Sequence, residues 1–302
     1  MFSPEGYQAL RNGIALVRRL DLGVLGVSGS DRLTWLQGLL TNDVAALPIG
    51  GTCEAAYLTP QGRMITDMRV TQFADRTLLE VPASLAAALQ SKLDGLLFSE
   101  DAQVEDLSDS LTVVDFFGPY RPTPHPHVSV TRYGRPSTTT FVASHAVNAV
   151  VSEWTATGVT ETTLDTLDAV RVEAGVPKFL VDMGEHTIPL EAGLEQRAIS
   201  FTKGCYVGQE VVIRVMHRGQ GRVAKKLVGL LLGSPELSGL PIDVTVSGKV
   251  IGALSSAVWS PPLGQSVGLA TLHRDYVQPG TKVDIAALVG LVTAEVATLP
   301  FL

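Results

Sequence analysis

The 302-residue sequence predicts an α+β protein with a ferredoxin-like subdomain and a C-terminal β-barrel. Three observations carry this. Strand-like runs, one amphipathic helix and further strand-like runs succeed one another between residues 53 and 116. From Leu227 onward six short strand-like runs alternate with Gly and Pro turns, and no helical period is evident. The chain is 45% apolar and only 18% charged, enough to bury more than one core at this length. The expected division is residues 1–225, with the ferredoxin-like subdomain at about 45–117, followed by the barrel at 226–302.

Leu22–Val27 is a short apolar run that Ser28-Gly29-Ser30 ends. Leu33, Leu36, Leu39 and Leu40 then recur at helical spacing, with Ser30 as the expected N-cap, and Thr41-Asn42-Asp43 follows as a turn. Cys53–Leu58 and Met64–Phe73 read as strands around the turn Thr59-Pro60-Gln61-Gly62, and Thr77–Val81 as a third. Pro82 opens a helix to Leu93 with Leu85, Leu89 and Leu93 on one face. Val104–Leu107 and Leu111–Phe116 are strand-like again. Residues 118–136, rich in Pro and Gly, read as a loop. A strand (Thr138–Val142) and two helices (about Ser144–Trp154 and Thr163–Ala174) follow, the second stopped by Gly175 and Pro177. The barrel strands are expected at Leu227–Leu232, Ile242–Val246, Val250–Trp259, Ser266–Leu272, Lys282–Ala286 and Val292–Ala297.

The formal net charge of −7 weighs against direct nucleic-acid binding, which works through neutralisation of phosphates. Two distant cysteines, Cys53 and Cys205, form neither a disulfide framework nor a zinc-ligand spacing, so no metal site is expected and a reducing compartment is. The N-terminus lacks the basic start and apolar run of a signal peptide, and no apolar run reaches the ~20 residues of a membrane span. A cytoplasmic protein without membrane attachment is the expectation.

Four constellations carry possible chemistry. The first is Lys203-Gly204-Cys205-Tyr206-Val207-Gly208-Gln209-Glu210. A thiolate is favoured by a nearby cation or a helix N-terminus, and Lys203 lies two residues before Cys205. The residues after the thiol fit a helix or a strand, and an inert cysteine in a turn is the plain alternative. The second is Arg171-Val172-Glu173-Ala174-Gly175, where Glu173 sits in the last helical turn, an unfavourable place for a carboxylate unless it has a task. A solvated surface Glu is the alternative there. The third is Asp67, placed by strand alternation beside Ile65, where apolar surroundings raise a carboxyl pKa; an edge-strand charge is the alternative. The fourth is the basic group Arg214, His217, Arg218, Arg222, Lys225 and Lys226, suited to an anionic ligand or to plain solvation.

The eight residues from Lys203 to Glu210 resemble the K-G-C-[FY]-x-G-Q-E signature of YgfZ-type folate-binding proteins, relatives of the glycine-cleavage T protein, an aminomethyltransferase. Trp35–Val44, Leu58–Arg63, Arg171–Pro177 and Pro189–Gly193 resemble further segments of that family, so the likeness spans about residues 30–230. The resemblance implies a three-part fold around a central folate channel, and a tetrahydrofolate-binding accessory protein that supports iron–sulfur client proteins, including tRNA-modifying enzymes. It implies that Cys205 and Lys203 carry the chemistry. Asp67, Glu173, Arg214, Tyr206, Gln209 and Glu210 are implied as cofactor-binding: Glu173 would hold the pterin, Asp67 would face its reactive edge and Arg214 would meet its acidic tail. In the aminomethyltransferases the segment matching Thr66-Asp67 is typically Asp-Asp after a Gly-Gly pair, and those enzymes lack the cysteine signature. Aminomethyl transfer is therefore the alternative function, and a folate-independent interaction or RNA-binding protein the second alternative.

Overall fold

The computed structural model describes residues 1–119, 123–217, 221–233, 237, 239–287 and 290–302. They form two compact units, one of Met1–Pro60, Ile65–Leu167 and Gln196–Gln209, the other of Gln61–Met64, Asp168–Glu195 and Glu210–Leu302. The elements in chain order are α1 (Pro4–Asn12), β1 (Ala15–Arg18), β2 (Leu22–Ser28), α2 (Arg32–Leu39), β3 (Thr52–Leu58), β4 (Met64–Gln72), β5 (Arg76–Pro82), α3 (Ala86–Asp94), β6 (Gln103–Asp106), β7 (Leu111–Phe117), β8 (His127–Arg132), β9 (Arg135–Ala143), α4 (Val147–Ala156), β10 (Thr160–Thr162), α5 (Leu164–Glu173), α6 (Gln209–His217), β11 (Lys225–Leu231), β12 (Ile242–Val246), β13 (Lys249–Ser260), β14 (Gln265–His273), β15 (Lys282–Ala287) and β16 (Gly290–Ala297).

The first unit holds two five-stranded sheets. One has the order β3-β4-β5-β2-β6. Trp35 and Leu36 of α2 and Leu89 and Leu93 of α3 bury against Leu25, Val27, Leu79 and Val81 of this sheet, the leucines following the expected helical spacing and Trp35 joining them from outside it. The sheet takes in β2, residues 22–28, and leaves β7 to the other sheet, so it is not confined to 45–117. The second sheet, β10-β1-β7-β9-β8, packs α4 through Val150 and Val151 against Leu16, Val114 and Val142. Val24 and Leu78 of one sheet meet Val113 and Phe141 of the other in a shared core.

Three local expectations change. Ser30 does not cap α2: its hydroxyl donates to Asp101 Oδ2 at 2.8 Å, and Asp31 occupies the cap position without a side-chain bond to the helix. Part of the stretch read as a loop is β8, which pairs with β9 through a hairpin at Tyr133-Gly134, both with positive φ (51° and 76°), as a tight primed turn demands. The helix after Pro82 begins as a 3-10 turn at Ala83–Leu85 before α3.

In the second unit the six expected strands close into the barrel β11-β14-β13-β12-β15-β16. Leu230, Val244, Leu254, Leu272 and Ile285 fill it. Val172 of α5 packs on Leu227, Val267 and Leu269. Gly175, just past the end of α5, has φ +68°, and a Cβ there would lie 2.8 Å from the Leu299 Cβ. Gly175→Ala is therefore expected to destabilise the fold by about 1–3 kcal/mol, read by chemical denaturation.

Candidate functional site

Cys205 is exposed. The helix that follows it, α6, starts at Gln209, after Gly208 turns the chain with φ +81°. The thiol thus lies outside the helix's first turn, and the strand alternative for this stretch is set aside. Lys203 is occupied elsewhere. Its Nζ donates to the carbonyl oxygens of Gln37 (2.6 Å), Leu40 (2.6 Å) and Asn42 (3.0 Å), and it sits 5.1 Å from the centroid of the Tyr206 ring. Three ammonium protons meet three acceptors at the C-terminal end of α2, where carbonyls lack helical partners. Burial pushes the ammonium down to about 8, while the three carbonyls favour the charged form, which alone fills all of them.

The rest of the Cys205 segment docks on the same turn. Val207 N donates to Gly38 O (3.2 Å), Ser200 N to Thr41 O (3.0 Å), and Thr41 Oγ1 to Ala198 O (2.6 Å). Lys203 therefore anchors the loop that presents Cys205. Lys203→Met should cost about 1–3 kcal/mol by stranding carbonyls, with Cys205 still exposed. Thermal denaturation and the rate of thiol alkylation check the two halves of this expectation. Tyr206 is buried, and burial pushes its hydroxyl up to about 12. Gln209 is half-buried and Glu210 exposed. Cys53, half-buried, has its thiol pushed up to about 12 by burial, which leaves it unreactive near neutral pH.

Asp67 lies on β4, half-buried, in the alternation that places it with Ile65 and Arg69. No side chain among the described residues donates a hydrogen bond to its carboxyl. Burial raises its pKa to about 6; Arg197 and Arg69 pull it down and Glu54 pushes it up. The two arginines are held by Glu54: Arg69 Nη2 lies 2.9 Å from Glu54 Oε1, and Arg197 Nε 2.7 Å from Glu54 Oε2. Asn42 Nδ2 ties the main chain here, donating to Glu54 O (2.7 Å) and Arg197 O (3.3 Å). The sequence marked Asn42 as part of a turn and of the family-like segment Trp35–Val44, and gave no signal for Glu54 or Arg197.

In the second unit Glu173 is fully buried, so the solvated-surface alternative falls. Its Oε1 accepts from Ser260 Oγ at 2.6 Å. Arg171, two residues earlier, points to other partners: Asp168 (2.6 Å), Asp182 (2.6 Å), Ser256 Oγ (2.9 Å) and the Val176 carbonyl (2.6 Å). Asp182 also accepts from Ser255 and Ser256. Arg171 is thus a structural member of its segment, and Glu173 is a buried carboxylate held by Ser260. Arg214, His217, Arg222, Lys225 and Lys226 are exposed; Arg218 lies outside the described residues. Among the described residues no group of three or more His, Cys, Asp or Glu is placed to hold a metal ion, and no helix is long and apolar enough to cross a membrane.

A pair of facing α/β sheets with a six-stranded barrel defines a T-protein-like fold. The structure matches that of the glycine cleavage system aminomethyltransferase T from Bartonella henselae with a TM-score of 0.88 over 100% of this chain and 91% of that one, at 19% identity. Residues 3–121 match the GCVT N-terminal domain and residues 225–302 the glycine cleavage T-protein C-terminal barrel domain, together well over half of the chain. The chain belongs to the glycine-cleavage T-protein-like family. Similar full-length proteins include the aminomethyltransferases of Bacillus subtilis (strain 168), 27% identical over 98% of this chain and 89% of the relative, and of Prochlorococcus marinus, 25% identical with the same coverage. These relatives carry the aminomethyltransferase name rather than a YgfZ-type one, so the matches establish the broader family only.

Proposed function

We propose that this protein binds tetrahydrofolate, the cofactor of the T-protein family, and that Asp67 is the residue whose state carries the reading. A reduced pterin presents adjacent N–H donors, and a half-buried carboxyl that no protein side chain claims is the acceptor such donors need. Its pKa near 6 lets it hold or release a proton close to neutral pH. Glu173, fully buried and hydrogen-bonded by Ser260, is assigned to cofactor binding by the family resemblance of the Arg171–Gly175 segment alone. Arg214, Tyr206, Gln209 and Glu210 are assigned to the ligand by the signature alone. Bound tetrahydrofolate would supply the amine nitrogens that carry a one-carbon unit.

Full-length likeness to proteins named aminomethyltransferase supports tetrahydrofolate-dependent aminomethyl transfer as the reaction. The check is ammonia release from an aminomethylated carrier protein in the presence of tetrahydrofolate; no release sinks this reading. A specific observation favours a second one. The thiol of the K-G-C-Y-V-G-Q-E segment is exposed on a loop pinned at Lys203 and Val207. That suits an accessory protein of iron–sulfur clients working through Cys205. Under this reading a deletion strain loses iron–sulfur enzyme activity, and Cys205→Ala does not restore it. Full restoration by Cys205→Ala removes the thiol from the mechanism.

A further inference from the structure

Asp67 has two arginines near enough to lower its pKa, yet its carboxyl is held above the usual range and pairs with neither. Burial is the main cause of the raised value, and the charge pattern of the first unit accounts for why neither arginine pairs with it. Arg19 is matched by Asp21 (2.9 Å) and shares Asp115 (2.7 Å) with Arg132 (2.9 Å). Arg132 also pairs with Glu80 at 2.6 Å, and Glu80 stands opposite Arg69 in the β4–β5 register. Arg69 and Arg197 both close on Glu54. Arg19, Arg132, Arg69 and Arg197 thus face Asp21, Asp115, Glu80 and Glu54, one carboxylate for each guanidinium. Asp67 is the carboxyl in excess of this balanced set.

We propose that Glu54 is a positioning residue for Asp67: by clamping Arg69 and Arg197 it keeps both guanidiniums from pairing with the Asp67 carboxyl and so keeps that carboxyl available to ligand. The inference deepens the folate reading and rests on it for the identity of the ligand, but its electrostatic core does not need ligand. The groups facing Asp67 are Arg197 from the 196–209 segment, Glu54 from β3 and Arg69 from its own strand. Removing the negative charge of Glu54 leaves two partly uncompensated cations, which favour the ionised carboxyl. Removing the positive charge of Arg197 acts in the opposite sense.

The test is carboxyl carbon NMR of the ligand-free protein across pH 4–8, with the Asp67 resonance identified by its loss in Asp67→Asn. The wild-type midpoint is expected near 6. Glu54→Gln should lower it by about one unit, a tenfold shift in the protonated fraction at a fixed pH, and Arg197→Gln should raise it. Circular dichroism confirms that the variants are folded. Tetrahydrofolate affinity is measured on the same proteins. For Glu54→Gln the inflection of its pH profile should move down with the NMR midpoint, whereas a purely structural Glu54 would weaken binding evenly and leave the inflection in place. Midpoints that stay together in all three proteins, or move in the wrong direction, overturn the inference. Midpoints that move as expected while the wild type binds no folate at any pH leave the electrostatic role of Glu54 supported and overturn the folate reading.

Discussion

Arg171→Met is expected to destabilise the second unit by about 3–5 kcal/mol, the scale on which breaking a buried ion pair leaves an uncompensated charge. Arg171 is buried, and its guanidinium satisfies Asp182, Asp168, Ser256 Oγ and the Val176 carbonyl. The methionine fills the stem's volume but leaves the Asp182 carboxylate, among the described residues, with Ser255, Ser256 and the Lys178 N–H alone. Chemical denaturation reads the loss. The double variant Arg171→Met/Asp182→Leu should recover part of it, because the stranded charge has then gone. A double variant as unstable as the sum of the two singles would show that packing, not charge, dominates.

Asp67→Asn is expected to do two opposite things. It should weaken tetrahydrofolate binding by about 100-fold, the loss of two charge-assisted hydrogen bonds at roughly 1.5 kcal/mol each. It should also stabilise the fold above pH 6. The folded Asp67 holds its proton up to about pH 6, against an ordinary carboxyl value near 3.9 in the unfolded chain. Across that window the folded state binds more protons than the unfolded state, so wild-type stability falls as pH rises and levels off above the folded pKa. The asparagine cannot ionise, so its advantage should be small at pH 4, grow through pH 5–6 and plateau by pH 7. Melting curves of both proteins at those pH values provide the check. A constant difference across pH would contradict a raised Asp67 pKa.

The barrel was legible in the sequence because its strands are short apolar runs bounded by Gly and Pro, and each of the six appears within a few residues of its expected place. The first unit was legible only in part. β8 hides in a Pro- and His-rich stretch, and only the Tyr133-Gly134 turn gives its hairpin away. Residues 22–28 gave a clear strand, but local pattern does not say which sheet a strand joins: β2 lies in the sheet with β3, β4, β5 and β6, and β7 in the other. Among the candidate site residues, the eight from Lys203 to Glu210 were singled out by their likeness to a family signature, and Glu173 by its uncomfortable place in a helix. The task of Lys203 was not legible, since its partners lie more than 160 residues away. Glu54 and Arg197 were silent for the same reason: an ion pair between a strand and a distant loop leaves no local trace.

Titration calorimetry of the purified protein with tetrahydrofolate decides whether these residues hold a reduced folate. Saturable binding of one ligand per chain is expected, weakened about 100-fold in Asp67→Asn while the fold is kept. Absence of binding by the wild type at millimolar tetrahydrofolate, or undiminished binding by folded Asp67→Asn, would contradict it.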